Sequence, residues 1–230
     1  MTNQVILAID TATPRGGIAL WRDGRLLTQS LLTVPREHSR QLFVEIDEAM
    51  TMTQTDRSQL TAVSVTIGPG SFTGLRIGLS AAKGLCSALE IPLVTVSTLE
   101  VMAARVLWSP RPVACLLDAR KDEAYVAVYD TSRGIPQCLE PPRAVPIDVF
   151  LTSWGDRDLF FAGDVHLLPE SISGDAVVPG HLNAPDAGAL AWLATHRLAV
   201  GHTADLVNVE PEYLRIPVFV PSQKQVIGGS

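Results

Sequence analysis

The chain has 230 residues, of which 47% are hydrophobic and 18% charged, with a formal net charge of −6. That is enough apolar material for one large or two small packed domains, and it excludes a disordered chain. The Lys and Arg residues are scattered, so the sequence carries no electrostatic footprint for binding DNA or RNA unaided.

The N-terminus lacks a basic region and holds only five consecutive apolar residues, Val5 to Ile9, which is too little for a signal peptide. No apolar run approaches the ~20 residues of a membrane-spanning helix. Cys86, Cys115 and Cys138 are odd in number and widely spaced in apolar surroundings. They read as reduced thiols of a cytoplasmic protein.

In chain order, Val5 to Ile9 reads as a buried strand ending at Asp10, followed by a turn over residues 11–16. Gly17 to Trp21 is a second strand, Asp23-Gly24 a hairpin signal, and Leu26 to Thr33 a third strand. Pro35-Arg36-Glu37 opens a helix, since proline is tolerated in the first turn and an acid complements the dipole there. Leu42, Phe43, Ile46, Ala49 and Met50 then recur at helical spacing. Ala62 to Ile67 is a strand, residues 72–90 a long helix, and Leu93 to Val96 another strand. Thr98 to Leu107 reads as a helix broken by Pro110 and Pro112. Val113 to Leu117, Ala124 to Tyr129 and Leu159 to Ala162 are strands, while the proline-rich stretch 136–146 reads as irregular. Ala184 to Val200 is an alanine-rich helix, and Pro211 to Arg215 lies in an extended tail. The pattern predicts two α/β halves of βββαβα type, the second eroded, divided near residue 100 into segments 1–100 and 101–230.

The densest signal is Gly68-Pro69-Gly70-Ser71-Phe72-Thr73-Gly74-Leu75-Arg76. Glycines between a strand and a helix suggest a phosphate cradle. The spacing fits neither G-x-G-x-x-G nor the Gly-Lys-Ser/Thr of a P-loop. In the helix that follows, Thr73, Arg76, Ser80, Lys83 and Ser87 form one narrow polar stripe, and Gly74, Gly78 and Ala82 form a row of small residues. A helix so apolar is covered on two sides. Either it is sandwiched inside its own domain, or it packs on its own sheet and against a second protein.

Asp10 stands at the carboxyl end of the first strand, where open α/β sheets place ligands. With Thr11 and Thr13 it reads either as a remnant phosphate loop or as a turn cap, since Ala12 stands where close phosphate approach favours glycine. Asp118 takes the matching place in the second half, where turn capping is the better reading. The five histidines form no H-x-x-x-H or H-E-x-x-H pair, and Ser71 is not in a G-x-S-x-G elbow.

Ile6 to Thr13, His38-Ser39-x-x-Leu42, the glycine-rich string above, Ala82-Lys-Gly-Leu85 and Pro211-x-Tyr-Leu-Arg215 together resemble the TsaB (YeaZ) family. The resemblance covers essentially the whole chain and implies an actin-like ATPase (ASKHA) fold similar to that of TsaD/Kae1, the glycoprotease-like proteins. It further implies a non-catalytic subunit in making tRNA threonylcarbamoyladenosine. Such a subunit binds TsaD as a heterodimer, joins TsaE in a ternary complex, and meets tRNA only through the complex. Alone it forms a homodimer. TsaD carries a histidine motif where this chain has Ser97-Thr98-Leu99-Glu100, so no intrinsic cofactor is implied, and ATP/ADP and metal belong to the partner subunits. The interface implied by the resemblance, toward TsaD or self, comprises His38, Leu42, Phe43, Ile46, Gly74, Arg76, Gly78, Ala82 and Lys83. Gly78→Leu is accordingly expected to block it. Asp10, Thr11 and Thr13 would be a vestigial phosphate loop. The alternatives are a kinase-like ATPase acting alone through those three residues and, less well supported, a metallopeptidase.

Overall fold

The computed structural model describes residues 4–31, 38–155 and 157–215. The first sheet comprises β1 (Val5–Asp10), β2 (Gly17–Arg22), β3 (Arg25–Gln29), β4 (Ala62–Gly68) and β5 (Leu93–Ser97), in the order β3-β2-β1-β4-β5. Helix α1 (His38–Met52) precedes β4, and α2 (Phe72–Leu89) links β4 to β5. The short α3 (Thr98–Ala103) leads into β6 (Val113–Arg120), β7 (Glu123–Asp130), β8 (Gln137–Pro146) and β9 (Phe160–Gly163). These pair in the order β8-β7-β6-β9, with α4 (Ile147–Trp154) between β8 and β9. Helix α5 (Ala187–Ala199) is followed by a tail without regular structure that runs to Arg215.

The unbroken apolar run of β1 is explained by burial on both faces. Side chains alternate across a strand. Val5, Leu7 and Ile9 pack with Leu42 and Ile46 of α1 and Leu79 and Ala82 of α2. Ile6 and Ala8 point the other way, onto Leu190, Ala191 and Ala194 of α5. In the second sheet Cys115, Leu117, Ala127 and Tyr129 cover Leu99 and Met102 of α3, while Leu116, Val126 and Val128 cover Phe150 of α4. The helix that ends the first half thus packs on the second sheet, and the last helix returns to the first. Two Arg–carboxylate pairs brace this exchange, Arg105 with Asp186 and Arg197 with Glu100.

Three local expectations are corrected. Residues 137–146 form strand β8 despite Pro141 and Pro142, because β8 is an edge strand and a missing N–H need not break a ladder there. Helix α4 directly after Pro146 was not legible, and the expected helix from Thr98 ends at Ala103 rather than Leu107. The third strand stops at Gln29, and the helix start at residues 35–37 lies outside the described residues.

Candidate functional site

Strand β1 delivers Asp10 to a fully buried position. Its Oδ1 accepts from the Ala12 backbone N–H at 3.0 Å and from the Thr66 hydroxyl at 2.8 Å. Oδ2 has no protein partner, and burial pushes the carboxyl above the usual aspartate range against the pull of those two bonds. The Thr11 hydroxyl donates to the Gly74 carbonyl at 2.7 Å. Asp10 and Thr11 are therefore turned into the chain's own structure. Thr13 alone of the three reaches the cleft between the halves, a cavity of about 380 Å³ whose lining includes Arg15, Leu117, Gly163, Asp164 and Asn183.

The glycine-rich string serves the same junction. Gly68 has φ +126°, and a Cβ there would lie 2.6 Å from the Glu212 carbonyl oxygen, so the backbone needs glycine for both conformation and space. Ser71 donates its N–H to the Ala12 carbonyl at 2.7 Å, and its hydroxyl caps α2 by accepting from the Gly74 N–H at 3.2 Å. A Cβ at Gly74 would run into the Thr11 carbonyl, and one at Gly78 into the Thr11 hydroxyl. The small-residue row of α2 therefore faces the chain's own β1 turn. Direct partner contact by Gly74, Gly78 and Ala82 is corrected on this ground, since Ala82 is also fully buried. Leu42 and Ile46 belong to the same core and present no outer surface.

What the two helices leave outside is different. Phe43 and Val44 of α1 are 49% and 42% exposed, and Thr73, Ser80, Gly84, Ser87 and Ala88 of α2 are exposed. Val44 escaped the sequence reading, although two large apolar residues side by side beyond the buried 42/46/49/50 stripe were its signal. The side chain of His38, at the start of α1, lies outside the described residues.

The two cations of the expected interface both bond to the tail. The Arg76 guanidinium sits 3.9 Å from the Phe72 ring centroid and donates from Nε to the Tyr213 hydroxyl at 2.9 Å. Lys83 Nζ donates to the carbonyls of Val207 and Val209 at 3.4 and 3.2 Å.

After β5, Glu100 is pushed up by burial, which the Arg197 guanidinium at 2.5 Å opposes. Burial also raises the Tyr129 hydroxyl and the Cys115 thiol, and takes the Cys86 thiol up to about 11. This interior favours neutral forms and primes none of these groups as a nucleophile. Among the described residues no three His, Cys, Asp or Glu side chains gather as a metal site, and no helix is long and apolar enough to cross a membrane.

Residues 33–139 match the family model of TsaD, tRNA N6-adenosine threonylcarbamoyltransferase. The chain is 40% identical over 221 residues to the tRNA threonylcarbamoyladenosine biosynthesis protein TsaB of Escherichia coli (strain K12), covering 91% of this chain and 94% of that one. It is 29% identical to the protein of the same name from Bacillus subtilis (strain 168), over 92% of this chain and 94% of that one. Among solved structures it is similar to YeaZ from Pseudomonas aeruginosa, with a TM-score of 0.80 and 28% identity over 92% of this chain and 100% of the other. The two-sheet architecture is accordingly the actin-like ATPase fold. By its similarity over nearly its whole length, the chain belongs to the TsaB family.

Proposed function

We propose that this chain is a non-catalytic subunit in the biosynthesis of tRNA threonylcarbamoyladenosine, binding TsaD through the outer surface of α1 and α2. The observation that carries the reading is the pair Phe43 and Val44, large apolar side chains left exposed where α1 packs beside α2. Burying each against a partner is worth roughly 1.5–3 kcal/mol before ordering costs. In this reading TsaE completes the assembly, tRNA is met through the complex in the cytoplasm, and nucleotide and metal sit on the partner subunits. Without TsaD the same surface pairs with a second copy by an isologous contact. The inward use of Asp10 and Thr11 favours this role over an ATPase acting alone.

The test is reconstitution on unmodified tRNA with TsaD, TsaE, threonylcarbamoyl-adenylate and ATP, with and without this chain, reading modified adenosine by mass spectrometry. Modification that depends on the chain is expected; equal modification without it overturns the role. Phe43→Ser tests the surface: TsaD binding by calorimetry falls at least tenfold on the order expected for one buried aromatic, while thermal stability stays put. Gly78→Leu is unsuited to this purpose, because its side chain would strike Thr11 inside the protein.

A further inference from the structure

The tail after α5 is tied at successive points to both halves. Ala204 donates its N–H to the Leu93 carbonyl at 2.8 Å at the start of β5, and Leu206 and Val209 pack on the first core. Lys83 holds the carbonyls of Val207 and Val209 along α2. Glu212 donates to the Ile67 carbonyl at 2.7 Å and passes over Gly68. Tyr213 stacks with Phe72 at 4.9 Å between ring centroids and accepts from Arg76. Up to this point every bond is to the first half. Arg215 then reaches the turn joining β6 to β7 in the second half. Its guanidinium donates to the carbonyls of Ala119 and Arg120 at 3.0 and 3.3 Å and pairs with the Glu123 carboxylate.

The receiving turn is itself unusual. Arg120, Lys121 and Asp122 all have positive φ, at 63°, 55° and 62°, a conformation that costs non-glycine residues energy and needs support from outside the turn. A planar guanidinium bound to two carbonyls and a carboxylate supplies a directional lock. The two sheets are otherwise joined through α3 and α5, so the Arg215 contact is a separate tie between the halves.

We propose that residues 204–215 are a latch that sets the angle between the two halves, with Arg215 as the bolt that engages the β6–β7 turn. The latch keeps the cleft beside Thr13, Gly163 and Asp164 at its present width. It also occupies one flank of α2, which leaves the opposite flank, beside α1, as the free side of that helix.

The experiment measures the inter-half distance by double electron–electron resonance in the full chain. One spin label goes on Cys138, an exposed residue of the second half, and the other on Met52→Cys, at an exposed position of the first. Hydrogen exchange of the Arg120–Glu123 amides is followed in parallel. In the parent chain the distance distribution is narrow. Arg215→Ala is expected to broaden or shift it and to speed exchange in the turn about tenfold, the factor given by losing one charge-assisted hydrogen bond. Arg215→Lys keeps the charge but not the fork, and is expected to fall between the two. An unchanged distance distribution in Arg215→Ala overturns the latch, even if exchange rises, because the bond would then merely order the turn.

Discussion

The two halves begin alike and finish differently. Each opens with three strands in an antiparallel meander, β1-β2-β3 and β6-β7-β8, and each places a later parallel strand, β4 or β9, beside the first. Each of those parallel strands ends in a glycine of positive φ, Gly68 at 126° and Gly163 at 103°. Beyond that point the first half builds α2 and then β5, whereas the second passes through single turns of 3-10 helix, at residues 165–167, 174–176 and 180–182, before α5, which packs on the first sheet. The two strand-ending aspartates repeat the contrast. Asp10 accepts from the N–H two residues on, and so does Asp118, from Arg120 at 2.6 Å. Yet Asp10 is wholly buried under the Gly70–Gly78 segment, and Asp118 is exposed. The same local turn therefore carries different electrostatics according to whether a helix covers it.

The sharpest way to break this comparison is to damage one half and watch the other. Phe150→Ala empties a fully buried site in the second core and is expected to cost about 3–5 kcal/mol. Gly78→Leu drives a side chain onto Thr11 in the first and is expected to cost about 3 kcal/mol. Because α3 and α5 are exchanged between the sheets, each variant should lower one common unfolding transition in calorimetry. Two separated transitions, with only one moved, would show that the halves are independent.

A smaller effect distinguishes the aspartates. The folded protein holds the Asp10 carboxyl above its ordinary value of 3.8, so the native state binds more protons than the unfolded chain in the interval above that value. Stability is thus lost as pH rises from 3.8 through the folded value. Asp10→Asn keeps an acceptor for Ala12 and Thr66 without the charge. Its stability relative to the parent is expected to grow as pH rises above about 4, because the amide loses no proton. Asp118→Asn, on an exposed turn, should stay within about 0.5 kcal/mol of the parent. Chemical denaturation at several pH values reads both. A magnesium-nucleotide titration of the parent and Asp10→Asn adds a check on the cleft, since a thermal shift in the parent alone would reinstate Asp10 as a ligand-facing group.

The smallest effect concerns the thiols. Cys86 and Cys115 are buried in the two cores, whereas Cys138 is exposed on β8. A disulfide reagent applied to the native protein should modify one thiol per chain, and three after denaturation. Faster labelling of a second thiol would mean that one half opens without the other.

Much of the first half was legible because its signals are local and redundant. The unbroken apolar run of β1, the Asp23-Gly24 hairpin and the glycine-rich string before a long apolar helix each name their own element. The second half was harder, since β8 contradicts strand propensity with three prolines and pairs on one side only. Of the residues expected at the interface, Phe43 lies exposed on α1, whereas Leu42, Ile46 and the small-residue row turn inward. Helical spacing says that Gly74, Gly78 and Ala82 share a face, and it cannot say what that face meets.

By itself the sequence determined the first meander, the long helix, the α/β class and the family, because those rest on dihedral preference, periodicity and motifs within short windows. Only the tertiary structure decided that the small residues receive Thr11, that α3 and α5 trade sheets, that Arg76 and Lys83 bind the tail, and that Arg215 ties the tail to the β6–β7 turn. These are contacts between groups about a hundred residues apart, such as Arg215 and Ala119 or Lys83 and Val207. Local preference carries no information about such partners; the closing of two cores around shared helices selects them.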